Sequence, residues 1–381
     1  MILPRFCLLL TITFCPFLLN NASAAEEEEK VPQYEFEGIT IPPASADEPI
    51  RKEFSLEKAA GYLDQGATAW TNSHGCVSCH TTGSYMVLRP SLSELLGKPK
   101  TEMRDFFVSE LADYKQMSRK ELRIGANAAT VVYLAAGLAE WDKHVTGELS
   151  PETDEALRFM FEIEEENGTW TSADCWPPLE SSPYQIASVA TIATATAPGW
   201  LESVKDDSEL QTRITKLKSY MSGTEPPHDY GRVLLLWSSA RYPGLLEEAK
   251  QKELIELLLS HQNDDGGWSV RSFSQPEKWG KGNRAERLNA ETDEQRSASD
   301  GHQSGLALLV LQEAGVPASD PRVQKGLNWL LTNQRESGRW WTRSLNTDEW
   351  HYVTFSGSLY PLTALIKYGA VDQPKVSLKT D

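Results

Sequence analysis

Three things are scarce in this chain of 381 residues: cysteine, basic charge, and apolar runs long enough to cross a bilayer. Five cysteines at this length do not make a disulfide scaffold. Lysine and arginine together number 37 against 54 aspartates and glutamates, a formal net charge of −17. Such a surface repels nucleic acid and anionic lipid, and it steers a basic redox partner toward itself. The apolar stretch from Phe6 to Leu19 falls short of the ~20 residues that a transmembrane helix needs, and no other segment comes closer. It follows Arg5 and runs into Ala22-Ser23-Ala24, so residues 1–24 read as an export signal cleaved after Ala24. Cleavage removes Cys7 and Cys15 and leaves Cys76, Cys79 and Cys175, in a chain whose expected address is a bacterial periplasm.

Two of the remaining cysteines stand in Cys76-Val-Ser-Cys79-His80, the attachment signature of a c-type haem. Thiols three positions apart reach the two vinyl groups of one porphyrin, and the adjoining imidazole reaches its iron. The expectation is one covalent haem c with His80 as proximal ligand. A redox dithiol does not require the trailing histidine, and no second cysteine pair exists to complete a zinc ribbon. The sixth iron position has several candidates. His228 comes first and His302 next, for the positional reason given below, with His74 and His351 behind them. Met103 and Met117 are thioether candidates, whereas Met86 lies too close to His80 along one helix to reach the far side of the iron.

Alternating strand patterns are nearly absent, while apolar residues recur at helical intervals from about Ser55 to Tyr368. Six helical hairpins are expected, at 55–98, 101–141, 150–199, 206–242, 247–315 and 318–370. Caps mark their starts, as in Ser150-Pro-Glu-Thr-Asp. Residues 25–54, with the run Glu26 to Glu29, read as an acidic disordered arm, and residues 371–381 as a flexible tail. Two internal echoes stand out. One is a helix ending in Gln, a glycine turn and a Trp: His261-Gln-Asn-Asp-Asp-Gly-Gly-Trp268 and Asn333-Gln-Arg-Glu-Ser-Gly-Arg-Trp340, with weaker copies at Glu164–Trp170 and Gln65–Trp70. The other is His-x-x-Gly at His80–Gly83, His228–Gly231 and His302–Gly305.

The Gln-to-Trp turns resemble the QW repeats of the squalene–hopene cyclase and prenyltransferase superfamily. The resemblance implies an all-α fold, an α/α toroid, and six hairpins would close one α6/α6 barrel. Closing the ring buries the apolar face of each hairpin against its neighbours. His80, His228 and His302 would then gather at one mouth, with hairpins 1 and 4 opposite each other. Activity does not come with the fold. The Asp-x-Asp-Asp acid motif of the cyclases is absent, so cyclisation by that route is not expected. The zinc site of the prenyltransferases has only a distorted counterpart in Asp174, Cys175 and His228, and an inert thiol is the simpler reading of Cys175. Trp340 reads as a QW tryptophan, with Trp341 and Trp350-His351-Tyr352 packing between helices. The charged stretch from Lys281 to Asp300 reads as a lid over the mouth or a docking loop.

Periplasmic electron transfer or haem redox chemistry is the function these features favour. A haem-dependent oxidoreductase acting on a hydrophobic, isoprenoid-like molecule in the toroid cavity is the alternative. A non-enzymatic protein-binding toroid is the third.

Overall fold

A computed structural model of the protein describes residues 31–174, 176–179 and 182–371. A short antiparallel hairpin, β1 (Tyr34–Phe36) and β2 (Ile39–Ile41), precedes the helices. Twelve of the helices among the described residues then alternate between two layers. In chain order the pairs are α1 (Leu56–His74) with α2 (Thr82–Leu88), α3 (Thr101–Tyr114) with α4 (Asn127–Trp141), and α5 (Pro151–Glu162) with α6 (Pro183–Thr196). They continue as α7 (Ser208–Gly223) with α8 (Asp229–Arg241), α9 (Glu248–Ser260) with α10 (Gly301–Glu313), and α11 (Pro321–Thr332) with α12 (Val353–Lys367).

Packing sorts them into rings. The second helix of each pair contacts the second helix of the next: α2 meets α4, then α6, α8, α10 and α12 follow, and α12 returns to α2. The molecule is therefore an all-α, six-hairpin α/α toroid, with hairpins 1 and 4 opposite. Sequence dictates the layers. Inner helices are apolar all round, so that every residue of α4 from Ala128 to Trp141 is buried. Outer helices bury a single face, such as Val323, Gly326, Leu327, Trp329 and Leu330 of α11. Caps fix the starts as the sequence indicates: the Ser150 side chain accepts the Thr153 N–H ahead of Pro151. Where α10 and α12 touch, a Cβ on Gly305 would fall 2.2 Å from Cδ of Pro361, so only glycine permits the contact.

The ends of the inner helices away from the mouth are stitched by charge. The Arg241 guanidinium meets Glu140 at 2.9 Å and Glu313 at 2.6 Å, and Lys367 meets Glu313 at 2.9 Å. Burial alone would raise the Glu140 carboxyl, but Arg241, then His144 and Lys367, hold it down at about 2. Tyr133, Tyr230, Leu234, Trp237 and Tyr360 line a cavity of about 20 Å³, room for roughly one water.

The arm expected at 25–54 is not an arm from Pro32 onward. Tyr34 and Ile41 are buried against α1. Glu48 pairs with the buried Arg339 at 2.7 Å, Arg51 N–H donates to the Gln334 carbonyl at 2.8 Å, and Ile50 forms a bridge with Arg335. These contacts close the ring between its first and last hairpins. Local composition cannot reveal partners nearly three hundred positions away.

Candidate functional site

Each outer helix reaches its inner partner through a connection at the mouth. In hairpins 3, 5 and 6 that connection is the same structure. The indole N–H of Trp170, Trp268 or Trp340 donates to the carbonyl ten residues earlier, on Met160, Leu258 or Leu330, at 2.8–2.9 Å. The glycine two before each tryptophan, Gly168, Gly266 or Gly338, has φ of 86°, 94° or 96°. A Cβ there would strike the neighbouring outer-helix backbone at Lys216, Lys325 or Lys58, so a bare glycine is required twice over.

Hairpin 1 does not follow this pattern. The expected copy at Gln65–Trp70 lies wholly within α1, which runs on to His74 and stops at Gly75 in the left-handed conformation. Gly66, Ala67 and Ala69 are helical and buried because the β-hairpin and α12 cover that face. The connection is instead Gly75–Thr81, which contains Cys76, Cys79 and His80. Its shape is held through main-chain atoms. Trp70 Nε1 and Thr82 Oγ1 both donate to the Cys76 carbonyl at 3.2 Å, Gly83 N–H to the Ser78 carbonyl at 2.8 Å, and Ser84 Oγ to the Cys79 carbonyl. Cys76 is half-buried and Cys79 buried. Cys79 lies near the phenols of Tyr230 and Tyr360, whose pKa values burial, and then Cys79 among other groups, push upward.

His80 is oriented by its neighbours. Its Nδ1 bonds Thr81 Oγ1 at 2.8 Å, and that hydroxyl bonds the buried Tyr34 OH at 3.0 Å. The ring stacks on Tyr352 at 5.0 Å and stands edge-on to Trp70 at 4.7 Å. Trp70 in turn carries His74 flat on its face at 3.8 Å. Burial, then the nearby His74, lowers the His80 pKa to about 3, so the imidazole is neutral at physiological pH. Thr81 and Tyr34 can hold the Nδ1 proton, which puts the ring's lone pair on Nε2.

The other histidines have different duties. His228 is the cap of α8: its Nδ1 accepts the Gly231 N–H at 3.1 Å, which places the proton on Nε2, and that buried nitrogen has no hydrogen-bond partner. Burial lowers its pKa to about 4. His302 is fully buried one position into α10, where Asp300 is the cap. Its Nε2 meets Tyr230 OH and its Nδ1 meets Ser356 Oγ, each at 3.0 Å, and burial lowers its pKa to about 3. The His-x-x-Gly echo therefore falls at three different offsets from the helix starts. Among the described residues no ring contact joins His80 to His228 or His302. His351 accepts the Ser344 N–H on Nδ1 at 2.9 Å. Met86 and Met103 are core residues, Met103 sulfur accepting from Thr71 at 3.5 Å, and Met117 packs half-buried against the core.

Cys175 lies outside the described residues. Its neighbour Asp174 pairs with Lys281 at 3.4 Å, and no cluster of three or more metal-ligating side chains exists among the described residues. Lys281 belongs to the stretch read as a lid or docking loop, and contacts across the mouth favour the lid. Asn346 donates through Nδ2 to the Pro177 carbonyl at 2.9 Å and accepts from Arg284 Nε on Oδ1 at 3.1 Å, while Arg287 pairs with Asp348 at 2.5 Å. The connections of hairpins 3, 5 and 6 are thereby tied together. Trp350, expected to pack inside, is 51% exposed, and Ile124 is 59% exposed. They sit in the connections of hairpins 6 and 2, on either side of the Cys76–His80 loop. Sequence reading did not single out Trp70, Thr81 or Tyr34 as supports of His80. Only Thr81, adjacent to it, carried a local signal.

A family match covers the C-terminal part of this architecture. The squalene-hopene cyclase C-terminal domain family matches residues 230–370, the stretch from α8 to α12. No curated protein sequence matches the chain. Among solved structures, ent-copalyl diphosphate synthase from Streptomyces platensis aligns at 15% identity and a TM-score of 0.49, covering 76% of this chain and 50% of that one. The chain thus spans about half the length of that protein. Its fold is a squalene cyclase-like α/α toroid.

Proposed function

We propose that this is an exported c-type haem protein, carrying one haem c on Cys76, Cys79 and His80 and working in periplasmic electron transfer or haem redox chemistry. The observation that carries the reading is the place of the motif. Where hairpins 3, 5 and 6 spend the connection on bracing, hairpin 1 presents two thiols and an imidazole with the required spacing, held by main-chain hydrogen bonds. The donor set fits the group. His80 is neutral, its Nδ1 is anchored through Thr81 to Tyr34, and its Nε2 is left for a metal. The exposed Ile124 and Trp350 supply apolar surface on both sides of the loop. A bound haem c would supply reversible one-electron chemistry, tuned by its sixth ligand and by burial.

The protein's own groups limit that sixth ligand. His302 uses both ring nitrogens on hydroxyls, and His228 uses Nδ1 as a cap, so each would surrender an existing bond to ligate iron through Nε2. The net charge of −17 favours a basic redox partner.

The test is the visible spectrum, oxidised and reduced, with and without carbon monoxide, of the full chain produced in a bacterium with haem-attachment machinery. A covalent c-type spectrum lost in Cys76→Ala/Cys79→Ala supports the proposal. A carbon monoxide shift would report an exchangeable sixth position. A folded protein without haem would refute the reading.

A further inference from the structure

The three QW turns share one backbone, but only two of them carry a glutamine at its first position. Gln262 sends Nε2 to the carbonyl oxygens of Gly266 and Arg322, both at 2.8 Å. Gln334 sends Nε2 to those of Gly338 and Ser55, both at 3.0 Å, and takes the Ser55 N–H on Oε1 at 2.7 Å. Each glutamine therefore donates twice: once to its own turn four residues on, and once to the start of the next outer helix around the ring. In the third turn this position is Glu164. The main chain around it repeats the other two, since the N–H of Glu165, Asn263 or Arg335 meets the carbonyl four residues on at 2.7–2.9 Å in every case.

Glu164 is 2% exposed, and neither carboxyl oxygen has a hydrogen-bond partner. An ionised carboxylate has no hydrogen to give, so it cannot donate as the glutamines do. The charged groups around it do not make up the loss. Arg213 of α7 spends its guanidinium on the Phe161 carbonyl at 2.9 Å and on Glu209 at 3.2 Å. Arg119, from the connection of hairpin 2, donates to the main-chain oxygen of Glu164 at 3.4 Å, and Glu165 is tied to Arg123. Glu166 of the same turn and Lys216 of α7 complete the rim of the groove.

We propose that Glu164 is a proton-dependent brace: with a proton it donates to the third turn as the glutamines donate to theirs, and without one the turn loses its brace. The proton is held at neutral pH. Burial, opposed by Arg213 and Lys216, raises the carboxyl to about 8. The folded chain keeps this proton to higher pH than the unfolded chain does. The stabilisation is therefore complete below the ordinary value of 4.5 and is lost as pH rises to about 8. The turn leads straight into residues 171–179, where Asp174 and Pro177 hold the lid. The joint that weakens on ionisation is the one behind the lid.

Unfolding of the full chain across pH 5 to 9, compared with Glu164→Gln and with Gln262→Glu, tests the proposal. Relative to Glu164→Gln, the unfolding constant of the natural chain should rise by up to about tenfold per pH unit between the ordinary carboxylate range and about 8. Gln262→Glu should acquire a second slope of the same sign. Asp300, which burial raises to about 6, adds an equal slope to all three proteins and drops out of the comparison. Parallel curves for the natural chain and Glu164→Gln would overturn the proposal. So would failure of Glu164→Gln to fold, because the amide should be the better brace. A Gln262→Glu curve parallel to that of the natural chain would count against it equally.

Discussion

The connection of hairpin 1 and those of hairpins 3, 5 and 6 occupy the same place in the repeat and do opposite things. In the QW turns, side chains hold the main chain: an indole and an amide reach back to carbonyl oxygens, and a glycine lets the next outer helix approach. In the Cys76–His80 loop the main chain is held by residues outside the motif, chiefly Trp70, Thr82 and Ser84. The difference teaches that one connection of the repeat can be held from outside its own segment where others are held from within. The ring remains closed because the β-hairpin, Glu48 and Arg51 lash hairpin 1 to hairpin 6.

Breaking the comparison begins with the QW tryptophans. Trp340→Ala empties a fully buried ring and frees the Leu330 carbonyl, and it should cost about 3–5 kcal/mol in denaturant unfolding. Gln334→Ala removes three hydrogen bonds, two of them to Ser55, with an expected loss of about 1–3 kcal/mol by the same measurement. The double change Cys76→Ala/Cys79→Ala, compared in protein made without haem attachment, should cost about 1 kcal/mol or less. That order reverses if the hairpin 1 loop is itself a brace, and equal losses for Trp340→Ala and the cysteine pair would erase the distinction drawn here. The acid side sharpens it further. His80, lowered to about 3, and His228, lowered to about 4, are neutral in the folded chain and charge more readily when it unfolds. Stability should therefore be complete above their ordinary value near 6.5 and fall as pH drops toward 4. In protein made without haem attachment, His80→Phe should flatten part of that fall in a pH series of unfolding curves.

Much of the architecture was legible in the sequence. Apolar spacing, caps such as Ser150-Pro151 and the turns at Gln262 and Gln334 gave six hairpins, and their order around the ring follows from chain order alone. What misled was resemblance at short range. Gln65 and Trp70 carry the right letters but lie inside a helix, because no positive-φ glycine stands two positions before Trp70 as Gly266 stands before Trp268. The shared His-x-x-Gly spelling of His80, His228 and His302 hid three different relations to a helix start. Only the pairing of His228 with the Gly231 N–H and of His302 with Tyr230 and Ser356 reveals it. Glu164 stood in plain view as the acid in a glutamine position. Its significance needed the burial and the absent partners that only packing discloses. The sequence could not locate Tyr352 beside His80 either, since the two are brought together by ring closure.

The central claim rests on a covalent bond, so the most direct measurement is the intact mass of the protein under denaturing conditions after production with haem-attachment machinery. The account predicts a chain heavier by one haem, an increment retained through denaturation and lost in Cys76→Ala/Cys79→Ala. A folded chain with unmodified mass in that setting would contradict it.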